Sequence, residues 1–176
     1  MINQYENENK TFSAADVLSN EDVISTLNGL IETCKDGQEG FKQAAEGVLD
    51  DDLKSSFYNL GNQRAEFVGE LQSLVRELGG NPEKSGTILG SLRRGWLDIK
   101  AVVSGNDKQV VLDEAEHGED IAVKNYQDAL DKNLPAYIRT IVERQYYSVK
   151  ATHDRVKLMR NFAHNATKSA GNYKEN

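Results

Sequence analysis

Proline, cysteine and tryptophan are scarce in this sequence, and long apolar runs are missing. Its 176 residues include two prolines, one cysteine and one tryptophan. Because proline breaks helices, so low a count leaves room for long uninterrupted ones. The lone Cys34 has no partner for an internal disulfide. No run approaches the roughly 18 apolar residues of a membrane-spanning helix. The sequence therefore predicts no internal disulfide and no membrane span.

Basic residues are also in the minority. Lys and Arg number 21 against 28 Asp and Glu, which gives a net charge of −7 and a pI near 5.0. Binding to nucleic acid or to an anionic membrane needs clustered Lys and Arg, and Arg93-Arg94 is too short a run. The first residues lack the apolar core of a signal peptide, so a cytoplasmic location is expected.

Apolar residues at helical spacing are what the sequence does contain. They predict four long helices, at about 21–47, 51–78, 107–132 and 135–163. Asp50 to Asp52 supply a turn and acidic residues for the start of the second helix. Gly79 to Pro82 should end that helix, and Pro135 suits the first turn of the fourth.

The connections between these helices predict the fold. Short links join the first to the second and the third to the fourth, so two antiparallel hairpins are expected. The middle connection of about 27 residues suggests a crossover, with a short extra helix that starts at Ser85 and contains Trp96. A bundle with one long crossover is the ferritin-like arrangement. We therefore expect an all-α, ferritin-like four-helix bundle over residues 19–164, a flexible N-terminal arm over 1–18 and a polar tail over 165–176.

A Glu-x-x-His spacing, by which helical bundles hold iron or manganese in their cores, occurs at Glu114 and His117. Successive helical residues point about 100° apart, so facing directions can be computed. Leu112 and Tyr126 fall within about 20° of Glu119, which places Glu119 in the apolar stripe. His117 and Glu114 lie about 160° and 140° from it. The motif is therefore predicted to face solvent, and Glu119 to be buried.

Each predicted helix interrupts its apolar face with a polar residue near mid-length. These residues are Gln38, Gln63 or Arg64, Glu119 and Gln145. Long polar side chains inside a core must find partners or cost roughly 1–3 kcal/mol each. We therefore predict one core polar layer in which Arg64 holds Glu119. Gln38 and Gln145 are expected to complete it.

Three stretches carry a resemblance to a known family. They are ELGGNPEKSGTILGSLRRGW, EHGEDIAVKNYQDAL and RQYYSVKATHDRVKLMR. Through them, residues 21–163 resemble a bacterial ferritin-like four-helix-bundle family classed as a domain of unknown function. The resemblance implies the bundle fold and no settled biochemical activity.

The ferritin-like metal pattern asks for a Glu on one helix of each hairpin and Glu-x-x-His on the other. This sequence departs from it, because Gln63-x-x-Glu66 and Glu143-x-x-Tyr146 stand where the Glu-x-x-His pairs belong. The candidate ligands that remain are Glu66, Glu116, Glu119 and His153. They support an alternative hypothesis, a metal-binding oxidoreductase or iron-handling protein that uses Fe or Mn.

The leading hypothesis is a non-catalytic bundle with no expected cofactor, because the predicted polar layer is richer in amides than in carboxylates. Such a bundle would act as a homo-oligomer or by binding another protein, with a role in stress. Cys34 lies on the apolar stripe and is expected to be an inert core thiol. A small-molecule site near Trp96 is a third hypothesis.

Overall fold

The computed structural model describes residues 18–82 and 108–172 of the chain. Within these residues the structure is all helical, with four α-helices and no strand. The helices are α1 (Asn20–Gly47), α2 (Asp51–Glu77), α3 (Lys108–Leu130) and α4 (Ala136–Asn172). The predicted all-α fold with four long helices is confirmed.

Local hydrogen bonds set the helix ends. The Ser19 side chain caps α1 and the Asp50 side chain caps α2, each accepting a bond from the backbone N–H three residues on, at 3.1 and 3.0 Å. These bonds satisfy N–H groups that have no partner within the helix. After α2, Gly79 turns the chain with a φ of 77°, a conformation that glycine adopts without strain.

The fourth helix is longer than predicted. It continues to Asn172, whereas the periodicity places its end near residue 163. The predicted polar tail is therefore helical over residues 165–172. Residues 164–172 contain no proline. A helix that is already formed gains one hydrogen bond for each added residue and has no new nucleation cost. Apolar spacing cannot detect such an extension.

Several predicted features lie outside the described residues. These are the N-terminal arm except for Leu18, the crossover helix with Ser85, Arg93, Arg94 and Trp96, and the last four residues of the tail.

Bonds at the helix ends fix the helix directions. α2 ends beside the start of α1, where Asn20 Nδ2 donates to Leu78 O at 3.2 Å. α3 begins instead beside the end of α1, where Lys108 Nζ lies 2.7 Å from Asp50 Oδ2. Consequently α2 and α3 run in one direction, and α1 and α4 run in the other.

The apolar core is divided into two clusters along the bundle. One lies toward the start of α1 and includes Leu27, Ile31, Phe67, Leu71, Tyr126 and Ile138. The other lies toward the α1–α2 turn and includes Phe41, Phe57, Leu60, Leu112, Ala115 and Val156. In every helix the two clusters are separated near mid-length, and that level carries the polar residues described next.

Candidate functional site

The level between the two apolar clusters is a buried polar layer. At this level α2 contributes Arg64 and α3 contributes Glu119, each with a side chain only 1% exposed. Arg64 Nη2 lies 2.6 Å from Glu119 Oε2. These two helices stand at opposite corners of the bundle, since each packs against α1 and α4. The ion pair therefore crosses the whole core.

Aromatic rings enclose the Arg64 guanidinium. Its central carbon lies 6.0 Å from the ring centroid of Phe41 and 5.7 Å from that of Phe67. Both distances allow a cation–π interaction, which gains strength where water is excluded. The guanidinium thus has a carboxylate at its tip and one ring from each apolar cluster beside it.

The Arg64 side chain packs against α1 at Gly37. A Cβ at Gly37 would lie 3.4 Å from Arg64 Cγ and 3.5 Å from Arg64 Nε. The prediction that Gln38 joins the layer is wrong, since Gln38 is exposed. The second half of α1 turns Gly37 and Gly40 toward the core. This rotation carries the neighbouring Gln38 side chain out of the apolar stripe.

Burial and pairing act in opposite directions on the two charges. Burial raises the pKa of Glu119, and the Arg64 guanidinium opposes that rise. Burial disfavours charge on Arg64, but the adjacent Glu119 carboxylate leaves the Arg64 pKa raised. Arginine does not lose its proton under ordinary conditions, so Glu119 faces a full positive charge. Among the described residues, Glu119 Oε1 and Arg64 Nε have no hydrogen-bond partner.

Gln63 extends the layer to α4. Its half-buried side chain accepts from Arg64 Nη1 at 3.3 Å and from Thr152 Oγ1 at 3.4 Å through the same amide oxygen. Both Gln63 and Arg64 therefore belong to the layer, although the sequence left them as alternatives. Thr152, rather than Gln145, is the α4 residue at this level.

A second polar chain lies about two turns from Thr152, toward the start of α1. Tyr126 OH donates to Gln145 Oε1 at 2.8 Å, and Gln145 Nε2 donates to Glu70 Oε2 at 2.6 Å. Cys34 Sγ lies 3.1 Å from the same phenol oxygen. Because the phenol proton goes to Gln145, the thiol is the donor there. The chain joins all four helices.

Gln145 is completely buried but does not complete the Glu119 layer as predicted. Its two hydrogen bonds go to Tyr126 and Glu70. The facing computation placed Gln145 on the correct side of α4. The direction of a side chain around its helix does not give its position along the bundle axis. The partners of Gln145 lie at a different level along that axis from Glu119.

Two of the titratable groups in this second chain, Cys34 and Tyr126, are held neutral. Burial raises the pKa of Cys34 to about 11. Burial also raises the pKa of Tyr126 well above its usual value. Since the thiolate is the reactive form of cysteine, Cys34 is an inert thiol in the folded protein.

The candidate metal ligands do not converge. Glu66 is exposed, and Glu116 is buried in an ion pair with Arg160. Glu119 is held by Arg64. In the two described segments, no group of three or more His, Cys, Asp or Glu is placed to hold a metal ion. As placed in these two segments, the candidate ligands do not fit a di-iron or di-manganese centre, which needs several carboxylates around the ions.

Neither His153 nor His117 is bonded to the Arg64–Glu119 pair. His153 is mostly buried, and its ring nitrogens lie 2.8 Å from Asp120 Oδ1 and 3.1 Å from Asp154 Oδ1. His117 is exposed as predicted, whereas Glu114 is half-buried rather than exposed. The Glu-x-x-His spacing that these two form is not directed into the core.

Sequence reasoning missed Glu70, Tyr126 and Gly37 as parts of the polar core. Tyr126 could have been recognised, because a phenol in the centre of an apolar stripe needs a partner for its hydroxyl. Glu70 lies about 60° from Phe67, at the edge of the apolar stripe of α2. It could have been identified only from the need of the buried Gln145 amide for a hydrogen-bond acceptor. No signal in the sequence identifies Gly37.

No helix in the described residues is long and apolar enough to cross a membrane. No curated protein matches the chain. A family model matches residues 22–132, a stretch that includes α2, α3 and all but the first two residues of α1 and is more than half of the chain. The chain therefore belongs to the family described as Domain of unknown function (DUF2383).

Proposed function

We propose that this chain is a non-catalytic, ferritin-like bundle of the cytoplasm that acts through contacts with its own copies or with another protein. A role in stress is part of the proposal and rests on the family resemblance alone. The ferritin-like assignment is supported by the shared direction of α2 and α3. Two antiparallel hairpins joined by one long crossover have that arrangement.

The observation that carries the non-catalytic part is the Arg64–Glu119 ion pair. Glu119 is the carboxylate in the middle of the core, and Arg64 Nη2 lies 2.6 Å from it. A metal ion at this place would be repelled by the buried guanidinium. Of the remaining candidate carboxylates, Glu66 is exposed and Glu116 is paired with Arg160.

Metal analysis of protein purified without chelator tests this proposal. We expect substoichiometric Fe, Mn and Zn, in the same amounts in wild type and in Glu119→Gln. Glu119→Gln keeps the shape of the side chain and removes the charge that a metal would need. Stoichiometric metal that is lost in Glu119→Gln would overturn the proposal and support the alternative, a metal-binding oxidoreductase or iron-handling protein.

A further inference from the structure

Large apolar side chains are exposed at one end of the bundle. Leu49, Leu158 and Phe162 are 76%, 59% and 73% exposed. Leu49 lies in the turn between α1 and α2, and the other two lie one turn apart on α4. Exposed apolar side chains that lie together, rather than singly, mark interaction sites.

A groove lined by Phe162 adjoins these side chains. It has a volume of about 370 Å³ and runs between the start of α2 and the second half of α4. Its lining includes Asp52, Leu53, Met159 and Phe162. Leu49 is next to Asp50, another lining residue. We call Leu49, Leu158, Phe162 and this groove the end patch.

The charges beside the end patch are separated by sign. Residues 155–172 of α4 contain Arg155, Lys157, Arg160 and Lys168 and no Asp or Glu. Across the groove, Asp50, Asp51 and Asp52 follow Leu49. Two of these charges are already used, since Arg160 pairs with Glu116 and Asp50 pairs with Lys108. Asp52 lines the groove, and Arg155, which donates to Ser56 in the groove lining at 3.3 Å, faces the same side. Asp51, Lys157 and Lys168 lie about 100° farther round their helices, at the borders of the patch.

We propose that the end patch is the interface of a two-fold symmetric dimer of this chain. In such an interface the same surface is used by both copies, so it must be complementary to itself. A two-fold axis through the apolar centre would bring Asp51 and Asp52 of each copy to the basic part of α4 of the other. Leu49, Leu158 and Phe162 would be buried between them.

The same charges argue against other occupants. An anionic membrane would attract Arg155 and Lys157 but repel Asp51 and Asp52 on the same surface. Packing of α4 on α4 alone would bring like charges together, because residues 155–172 carry no carboxylate. A second copy satisfies both halves of the patch at once. This inference rests on the proposed function and names its partner.

Sedimentation velocity over a range of protein concentrations tests the apolar part. We expect wild type to dimerise, and Leu158→Glu and Phe162→Glu each to weaken dimerisation by about tenfold or more. Tyr137→Glu is the matched control, since Tyr137 is a 53% exposed aromatic residue on the same helix, about 37 Å from Phe162. It should dimerise like wild type. Circular dichroism checks that each variant is folded.

A charge exchange tests the two-fold geometry. Asp51→Lys with Asp52→Lys, and separately Arg155→Glu with Lys157→Glu, should each be monomeric because like charges then meet. An equal mixture of the two proteins should form a mixed dimer, since every contact is again between opposite charges. Failure of the mixture to associate would overturn the symmetric arrangement.

Two further outcomes would overturn the inference. One is a wild-type chain that stays monomeric at all concentrations, and the other is a dimer that survives Leu158→Glu and Phe162→Glu. Neither affects the metal analysis, which tests the non-catalytic role separately. A monomeric chain without stoichiometric metal would leave binding of another protein as the proposed function.

Discussion

Arg64 holds the middle of the bundle together at the residue scale. Among the residues that the structure describes it is the largest fully buried side chain, and it reaches from one corner of the core to Glu119 at the opposite corner. Removing two charges from water has a large free-energy cost. Their mutual attraction offsets that cost in part or, at best, in full. The pair therefore matters most when one member is absent, because the other is then a buried charge without a partner.

Single substitutions of this pair should be far more damaging than the double one. Arg64→Met or Glu119→Leu alone should lower the free energy of unfolding by about 3–5 kcal/mol, because each strands the opposite charge. The double variant should lose much less, since apolar side chains of similar volume avoid the desolvation cost altogether. Urea denaturation of the four proteins measures the coupling energy.

An exposed ion pair provides the control for this cycle. Lys124 and Asp128 lie 2.5 Å apart on the surface of α3, with side chains 72% and 54% exposed. Their coupling should be at most about 0.5 kcal/mol, as is typical of surface pairs in helices. Equal coupling at the two sites would mean that the Arg64–Glu119 contact is not buried as described.

Glu70 makes stability depend on pH. Burial raises the pKa of its carboxyl, but hydrogen bonds from Gln145 and Arg144 outweigh that effect, and the pKa is lowered from its usual 4.5. A lowered pKa means that the folded protein favours the carboxylate. The resulting stabilisation is fully present above about pH 4.5 and is lost as pH falls through the folded-state pKa.

Glu70→Gln removes this carboxylate while keeping an oxygen that can accept from Gln145. The variant should be less stable than wild type at neutral pH, and the difference in unfolding free energy should shrink as pH falls below about 4.5. Denaturation curves at several pH values measure it. Glu143→Gln, which removes a surface carboxylate paired with Arg139, is the control. A difference that grows in acid would show that the pKa of Glu70 is raised instead.

Glycines inside the helices matter at the element scale. At Gly29 in α1 and Gly69 in α2, no atom from outside the local helix backbone lies within 4 Å of where a Cβ would stand. Glycine costs a helix roughly 0.5–1 kcal/mol relative to alanine, mainly through chain entropy. Gly29→Ala and Gly69→Ala should each raise the free energy of unfolding by about that amount.

Substitution of Gly79 should change the free energy of unfolding in the opposite direction. Its φ of 77° is disfavoured for residues with a Cβ, so Gly79→Ala should lower the free energy of unfolding by about 1–2 kcal/mol. Thermal denaturation of the three variants tests both signs together. Loss of stability in Gly69→Ala would contradict the open space found around that glycine.

How much of the site the sequence predicts differs from helix to helix. In α2 and α3 the buried side keeps a constant direction, so counting 100° per residue found Arg64 and Glu119. In α1 the buried side includes Gly37 and Gly40, and Arg64 packs against Gly37. An apolar pattern cannot show this, since glycine adds no hydrophobic signal. The Gln38 prediction failed for that reason.

The polar chain through Gln145 shows a second limit. Its side chain faces the core as computed, but its partners depend on which residues of neighbouring helices stand at the same height. Heights are set by helix ends and packing, and those were predicted only to within a few residues. Long side chains at the edges of stripes, such as Glu70, then become partners that no single helix identifies.

Charge is distributed unevenly over the whole molecule. α4 carries seven Lys and Arg against two Asp and Glu, a net charge of +5, while the chain as a whole carries −7. This helix contacts acidic groups on both neighbours, through Arg144 with Glu70 and Arg160 with Glu116. The overall negative charge, from which the sequence predicted the absence of anionic partners, therefore conceals one basic helix within an acidic bundle.

The path of the chain through the bundle can be tested by zero-length cross-linking. A carbodiimide joins an amine to a carboxylate only when the two are in contact. Lys108 Nζ lies 2.7 Å from Asp50 Oδ2, which joins the start of α3 to the α1–α2 turn. We expect a cross-linked peptide between these two residues in mass spectra of digested protein. Lys124 and Asp128, in contact on α3, show that the reagent has acted.

Asp50→Asn is the matched control, because asparagine caps a helix about as well as aspartate but cannot be coupled. The cross-link should disappear while the circular dichroism spectrum stays unchanged. If α3 ran in the opposite direction, Lys108 would lie some 35 Å from Asp50, which is the length of α3. It would then be at the end of the bundle that contains Asn20 and Leu78. Coupling of Lys108 to Glu21 or Glu77 would then replace the link to Asp50. That result would make α2 and α3 antiparallel and remove the support for a ferritin-like bundle.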